Sequence, residues 1–592
     1  MSELKGALAT TTVVFMAVFI PVSFLSGTTG VFYKEFGLTM AAAVALSLLN
    51  ALTLCPALCA VMLRPEVHQR SRIASRWRGR YMVGIVRMMR HRRWVAVSLP
   101  LALALLAVAI VSTKTGLVPQ EDMGTIDVNV QCRPGSSLAE TGKVMDRVET
   151  AVRTLPQIKI YTRVDGRDAR QNQTSSAGFL SVRLKPWGER KDKNDDIDSV
   201  VNAIYRRTEA IKEAKINCST LPMIRGYGAS SGFELYVQNR SSEDFNRLSE
   251  VTRQFVDRLN ARLEVAKVNC TFDMSYPQYA VSVDAAKCLM HNVSPRDVLT
   301  ALADYVGGDY ASNINQYTKL YRVMVQASPE YRMDERALHN MYVRGDDGVL
   351  SPLSEYVELR KVNGPEYLMH FNLFPSIRVN GTPAAGYSSG QALQAIQEVA
   401  AQTLPTGFGY ELGGMAREEQ AQGNTTVWVL LLCVVFIYII LCSLYERLLL
   451  PFAILLVVPF GLLGSFACSA LFGVENNIYM QTGLIMLVGM MAKTAILLTE
   501  VATKQRKQGA SILRSALYAA RLRFRPIVMT ATVMVLGMLP LLFSTGAGAR
   551  GNIAIGAGVL GGMVVGTLSL LFLVPVLYCA LARWDEKGNR RK

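Results

Sequence analysis

The chain has 592 residues, half of them hydrophobic and 18% charged, with a net charge of +17 at pH 7. That balance excludes a single soluble globular domain and calls for membrane-spanning segments joined to water-soluble parts. Ten cysteines scattered through such a length do not form a disulfide scaffold, and much of the positive excess sits in short loops, which argues against nucleic acid as a partner.

In chain order, apolar runs long enough to cross about 30 Å of hydrocarbon cover residues 9–25, 36–63, 94–112, 427–444, 449–472, 478–499, 527–543 and 553–581. They predict an α-helical polytopic membrane bundle of about eight spans, three before and five after a long polar block. The first run has a weak basic start and no small-residue cleavage site, so it is expected to be a true span rather than a signal peptide. Loop 64–93 holds ten arginines against one glutamate, the connection 504–525 holds seven basic residues, and the chain ends in "RWDEKGNRRK". Because short cytoplasmic loops carry the excess of Lys and Arg, both termini are expected inside and the polar block outside. Trp94, Trp428 and Trp584 fall at span ends, where indole rings anchor at the interface.

The polar block 114–423, about 310 residues, is too long to be an unstructured loop. "GTIDVNVQC" alternates with period two, "SSLAETGKVMDRVETAVRTL" has helical spacing behind a serine cap, and "IKIYTRV" and "AGFLSVRLKPW" return to alternation. The same order recurs in "GFELYVQN", "SSEDFNRLSEVTRQFVDRLNAR" and "VAKVNCTFDMS", and again in "PSIRVNG", "SSGQALQAIQEVAAQTL" and "GFGYELGG". Three strand-helix-strand units predict an α+β region of repeated split β-α-β subdomains, with helices on one face of antiparallel sheets. The stretch between the second and third units interrupts a repeat and is expected to be an inserted subdomain. "NCS" and "NCT" lie in strand-like runs, so they are read as strand residues rather than glycosylation sites.

No zinc-spaced His/Cys cluster, G-x-S-x-G elbow or phosphate-binding loop occurs. The pattern points away from an enzyme, and any work the protein does is expected to draw on an ion gradient, with no cofactor. Charge inside the membrane is then the main functional signal. Lys493 lies in the apolar "GMMAKTAILLTE", where an ammonium group needs a partner, a water path or a route for its stem to the interface. The next span opens with "RLRFRPIVMT", in which Arg523 and Thr530, seven residues apart, share a helical face. Lys493, Arg523 and Thr530 are therefore expected to line one polar track, and no Asp occurs in any of the eight runs. In the last span Gly558, Gly562 and Gly566 recur every fourth residue, a stripe suited to close helix packing.

The segments "TLCPALCAVMLRP", "VPQEDMG", "LYERLLLPFAILLVVPFGLLG", "GLIMLVGMMAKTAILLTE", "RFRPIVMTA" and "STGAGARGNIAIGAGVLGGMVVGTLSLLFLVPVLY" resemble the C-terminal part of the resistance-nodulation-division efflux pumps, in their hydrophobe/amphiphile branch. The resemblance runs over nearly the whole chain. It implies a multi-pass antiporter of the Gram-negative inner membrane that exchanges protons for amphiphilic compounds or drugs. Such a pump works as a homotrimer with a periplasmic adaptor protein and an outer-membrane channel, amid membrane lipids.

By the same resemblance Lys493, Arg523 and Thr530 match the family's proton-relay residues. Residues 1–63 hold the family's fifth and sixth helices, 64–93 a basic cytoplasmic loop and 94–113 a further helix. Residues 114–275 are porter subdomains, 276–364 a docking insertion, 365–423 the return to the porter, 424–584 five helices and 585–592 a cytoplasmic tail. The family has twelve spans and a pair of proton-binding aspartates in the fourth, whereas this chain starts just before the fifth. It is therefore expected to be a truncated C-terminal half, inactive without the missing N-terminal half; the alternatives are a non-transporting membrane scaffold or a lipid- or secretion-linked relative. Drug exporters of this type line a deep pocket with phenylalanines, and Tyr161 and Phe179 are the aromatic candidates here.

Overall fold

The computed structural model describes residues 2–24, 27–62, 72–168, 172–190, 192, 194–224, 226–228, 231–242, 244–270, 272–422 and 425–589. The start of the basic loop, residues 64–71, and the last three residues of the tail lie outside these. Two compact units emerge, one of residues 1–131, 141–271 and 370–592, the other of residues 132–140 and 272–369.

The first unit begins with α1 (Ser2–Ala17), α2 (Gly27–Leu52), α3 (Leu54–Met62), α4 (Arg72–Arg90) and α5 (Arg92–Ser112). The stretch 64–93 was expected to be a basic loop, yet much of it is helix α4. Arg76, Arg80, Arg87 and Arg90 are exposed while Tyr81 and Ile85 are buried, Tyr81 stacking on Phe524 and donating a hydrogen bond to the Leu571 carbonyl. Counting basic residues missed the apolar spacing of Tyr81 and Ile85, one helical turn apart.

Strand β1 (Thr125–Cys132), α6 (Leu138–Arg153), β2 (Ile158–Arg167), β3 (Gln173–Leu184), α7 (Ile197–Thr208) and β4 (Ala214–Thr220) follow. They form a four-stranded sheet ordered β2-β3-β1-β4, backed by both helices. β1 shows why this folds: Ile126, Val128 and Val130 alternate into the core against Met145, Val148 and Val152 of α6, and each such side chain stabilises by about 2 kcal/mol when buried. Helix α7 had no place among the expected elements; Asp196 caps it by accepting from the Ser199 N–H.

Next come β5 (Phe233–Asn239), α8 (Phe245–Asn260) and the two-residue β6 (Asn269–Cys270). The inserted unit holds β7 (Tyr276–Val283), α9 (Ala285–Met290), α10 (Pro295–Gly307), the hairpin β8 (Asp309–Gln316) and β9 (Lys319–Val325), then β10 (Tyr342–Arg344), β11 (Leu350–Pro352) and β12 (Val357–Gly364). Its core gathers Cys288, Val298, Leu338, Met341, Leu353 and Tyr356. The turn 132–140 belongs to this unit as well, with Gly135 pressed so close to Pro277 that a Cβ would lie 2.7 Å from its ring.

The chain returns through β13 (His370–Phe371), β14 (Phe374–Gly381), α11 (Ser389–Thr403), β15 (Phe408–Gly413) and α12 (Gly414–Gln422). The expected second and third repeats are not separate: β14 and β15 both pair with β5 in one sheet ordered β13-β14-β5-β15, with β6 on β14. Two sandwiches, not three, make up this part of the first unit. Period-two alternation identifies strands but says nothing of which strand each one pairs with.

The remaining helices are α13 (Thr425–Tyr445), α14 (Phe452–Leu455), α15 (Val458–Leu471), α16 (Ile478–Lys507), α17 (Ile512–Leu542) and α18 (Ala549–Asn589). Pro459 starts α15 and divides one expected span into two helical pieces. Among the described residues, six helical stretches are long and apolar enough to span a membrane, and two more, Leu8–Phe24 and Leu431–Tyr445, are shorter. Eight spans are thus not reached on length and apolarity alone; the first short stretch runs into a 3₁₀ turn at Pro21.

Candidate functional site

Helix α16 is the axis of the membrane bundle. Asn477 caps its start by accepting from the Tyr479 and Met480 N–H groups, and nearly every side chain from Met480 to Ala492 is buried. Burial relaxes at Lys493, Thr494, Leu497, Glu500 and Val501, which share one helical face. Helix α17 packs beside α16, capped by Ser511, and presents Arg523 and Phe524 half-buried and Ile527 buried.

Of the three expected relay residues, Lys493 and Arg523 therefore stand on adjacent helices, but no hydrogen bond or ion pair joins them among the described residues. Arg523 keeps its Nε buried without a hydrogen-bond partner. Thr530 is exposed, and its hydroxyl donates to the carbonyls of its own helix, Pro526 and Ile527, each at 3.0 Å. The polar track is thus open rather than closed. Glu500 is half-buried on the same face as Lys493, within electrostatic reach of Arg523 and Lys504. Its spacing of seven from Lys493, two helical turns, was the signal that could have found it.

Gly558, Gly562 and Gly566 lie where α18 meets α15 and α16. A Cβ at Gly562 would fall 2.2 Å from Leu487 and one at Gly566 2.7 Å from the Met491 sulfur, whereas one at Gly558 would touch Met480 at an ordinary 3.6 Å. The tightest backbone contact of this seam is at Gly561, outside the four-residue stripe: a Cβ there would meet the Gly464 carbonyl oxygen at 2.3 Å. Ser465 donates to the Gly558 carbonyl at 2.6 Å, tying α15 to α18 beside this contact.

The aromatic pair expected in a pocket is split between two faces of the first sheet. Tyr161 pairs with Val182 and packs toward the helix-covered core, its hydroxyl donating to Glu149 at 2.9 Å. Phe179 sits opposite Asn129 and Val164 and belongs to the other face. The β-bulge between Ile158 and Ile160 accompanies this arrangement, and an odd number of residues along a strand always reverses the face. Beside Phe179, on the face turned away from α6 and α7, lie Asp127, Asn129, Ser181 and Ser219, with Asn129 donating to Ser219 at 3.4 Å. Burial pushes the Asp127 carboxyl up, and a hydrogen bond from Ser181 opposes that rise.

The described residues thus form a bundle of apolar helices around α16, which carries Lys493, with α+β sandwiches inserted between the helical segments. The chain belongs to the AcrB/AcrD/AcrF family, whose model matches residues 1–582. It is 31% identical over 98% of its length to the multidrug/solvent efflux pump membrane transporter MepB of Pseudomonas putida, covering 56% of that protein. It is likewise 31% identical to the multidrug export protein AcrF of Escherichia coli, covering 58% of it, and 30% identical to the multidrug resistance protein MdtF of the same species, covering 57%. The chain thus spans a little over half the length of these relatives.

Proposed function

We propose that this chain forms the cation-bearing half of a proton-driven exporter of amphiphilic compounds in the Gram-negative inner membrane. The observation that carries the proposal is Lys493, an ammonium group inside the most buried helix of the bundle, without a carboxylate ion pair among the described residues. Lys493, Arg523 and Thr530 form the cation and hydroxyl side of the relay, opposite titrating carboxylates. The sheet face around Phe179 and Asp127, turned away from α6 and α7, receives substrate in the periplasm. The insertion 276–364 docks toward an outer-membrane channel, with an adaptor protein completing a trimeric assembly.

The test measures dye accumulation in a pump-deficient host. This chain is expressed alone, with a complementary chain carrying the relatives' N-terminal spans, and in that pair with Lys493→Ala. Accumulation should fall only in the unmutated pair, with the substituted pair assembling normally. Export by the chain alone would overturn the need for a partner, and undiminished export by the Lys493→Ala pair would overturn the relay role.

A further inference from the structure

Helix α4 has one face seated on the bundle and another that bears only charge. On the seated face Tyr81 stacks on Phe524 and lies edge-on to Phe572. Gly84 is so close to Phe572 that a Cβ there would come within 3.0 Å of its ring, which holds α4 against α18. On the other side Arg76, Arg80, Arg87 and Arg90 are exposed. Steps of four, seven and three residues keep them in one stripe along the helix. None of the four makes an ion pair among the described residues, and the sequence has no acidic residue between Glu66 and Glu121.

Two observations turn this stripe toward a membrane rather than open water. Only His91 separates α4 from α5, and the apolar stretch long enough to span a membrane begins at Arg93. Arg87 and Arg90 therefore stand within about two helical turns of the point where the chain enters hydrocarbon. The second observation is what borders the arginines: Val83 is 68% exposed and Trp77 63%. Bare apolar side chains beside a cationic stripe are the pattern of a helix lying in the interface. There the valine enters the acyl boundary while the guanidinium groups reach the headgroups along their stems.

We infer that the arginine stripe of α4 is a binding site for anionic phospholipid headgroups in the leaflet where α5 begins. The planar guanidinium fork offers paired N–H donors that match phosphate oxygens. Arg76 with Arg80 and Arg87 with Arg90 make two pairs, their midpoints about 16 Å apart along the helix axis. That distance is too long for one phosphate, so each pair takes its own. A zwitterionic lipid brings an ammonium group along with its phosphate, whereas a lipid of net negative charge gains from every arginine. An acidic protein would match the arginines but leave Val83 bare. The inference needs α5 as a membrane span and does not depend on what the chain transports.

The test follows amide hydrogen exchange over residues 76–90 of the full chain in nanodiscs of phosphatidylcholine, with or without phosphatidylglycerol. Phosphatidylglycerol should slow exchange in the parent by about fivefold or more. Arg76→Gln with Arg80→Gln should remove about half of that response, Gln at all four positions should abolish it, and Lys at all four should retain part of it. Exchange over residues 480–492 should stay the same in every variant, which shows an intact bundle. Soluble glycerophosphate added to phosphatidylcholine discs should have no effect. Equal exchange in the two kinds of disc, or a slowing that survives all four Gln substitutions, overturns the site. Slowing by glycerophosphate alone would assign the stripe to free phosphate, and slowing by polyglutamate where phosphatidylglycerol gives none would assign it to an acidic protein; either result overturns the lipid site.

Discussion

The membrane bundle and the first sandwich hold themselves together by opposite means. Where α15, α16 and α18 meet, the fixed points are missing side chains: Gly464 against Gly561, and Gly562 against Leu487 and Ser465. On the sandwich the fixed points are charges, as where Arg163 bridges Asp146, Glu149 and Asp165 and Arg190 is buried against Asp122. The reason is solvent. In water an ion pair adds little but directs packing, whereas in hydrocarbon helices gain from van der Waals contact and close backbone approach. Against that background Lys493 and Arg523 stand out as cations placed where the local rule is small and apolar.

The largest effect is expected from breaking the bundle's own rule. Gly561→Ala drives a methyl group into the Gly464 backbone, which cannot rotate away, and should cost about 3 kcal/mol or more, seen as lost detergent-stable protein. Gly558→Ala meets only an ordinary contact with Met480 and should leave yield and melting temperature almost unchanged. Equal behaviour of the two variants would show that the four-residue stripe, rather than the backbone contact, sets the packing.

A smaller effect is expected at the junction of the two regions, on α12. Burial lifts the Glu419 carboxyl to about 7, the charge of Glu475 adds to the rise, and hydrogen bonds from Ser389 and the Leu117 backbone oppose it. Burial also raises the Glu475 carboxyl, and the charges of Lys114 and Arg550 oppose that rise. Because the folded value of Glu419 exceeds its unfolded value, its contribution to stability is fully present below about pH 4.5 and is lost as the pH rises through about 7. Glu419→Gln should therefore match the parent in stability to unfolding at pH 4.5 and exceed it at pH 8, by about 3 kcal/mol. A constant offset at both values would assign the effect to packing.

Much of this was legible in the sequence, and the exceptions have physical causes. The alternation of Ile126, Val128 and Val130 and the apolar runs fix which segments are strands and which enter the membrane, because those patterns follow from local geometry. Lys493 and Arg523 were visible as charges in apolar surroundings. What was not visible depended on pairing: that β14 joins β5, that Thr530 points outward, and that Gly561 rather than its neighbours meets a backbone. Tertiary partners decide these matters, and period alone does not name partners.

The smallest expected effect separates the two aromatic residues of the first sheet. Tyr161→Phe removes a hydroxyl bonded to Glu149, a carboxylate that hydrogen bonds from Arg163 and then from Tyr161 itself hold below the usual range, so Arg163 keeps it ionised without the phenol. The loss should be about 1 kcal/mol in stability, with the order of preferred export substrates unchanged, because the ring stays in the helix-facing core. Phe179→Ala alters the opposite face, next to Asn129, and should reorder those substrates while leaving α6 and its ion pairs in place. A change of substrate order in Tyr161→Phe, measured by dye competition in the paired system, would mean that the helix-covered face, with its Arg163 network, reaches the transported compound after all.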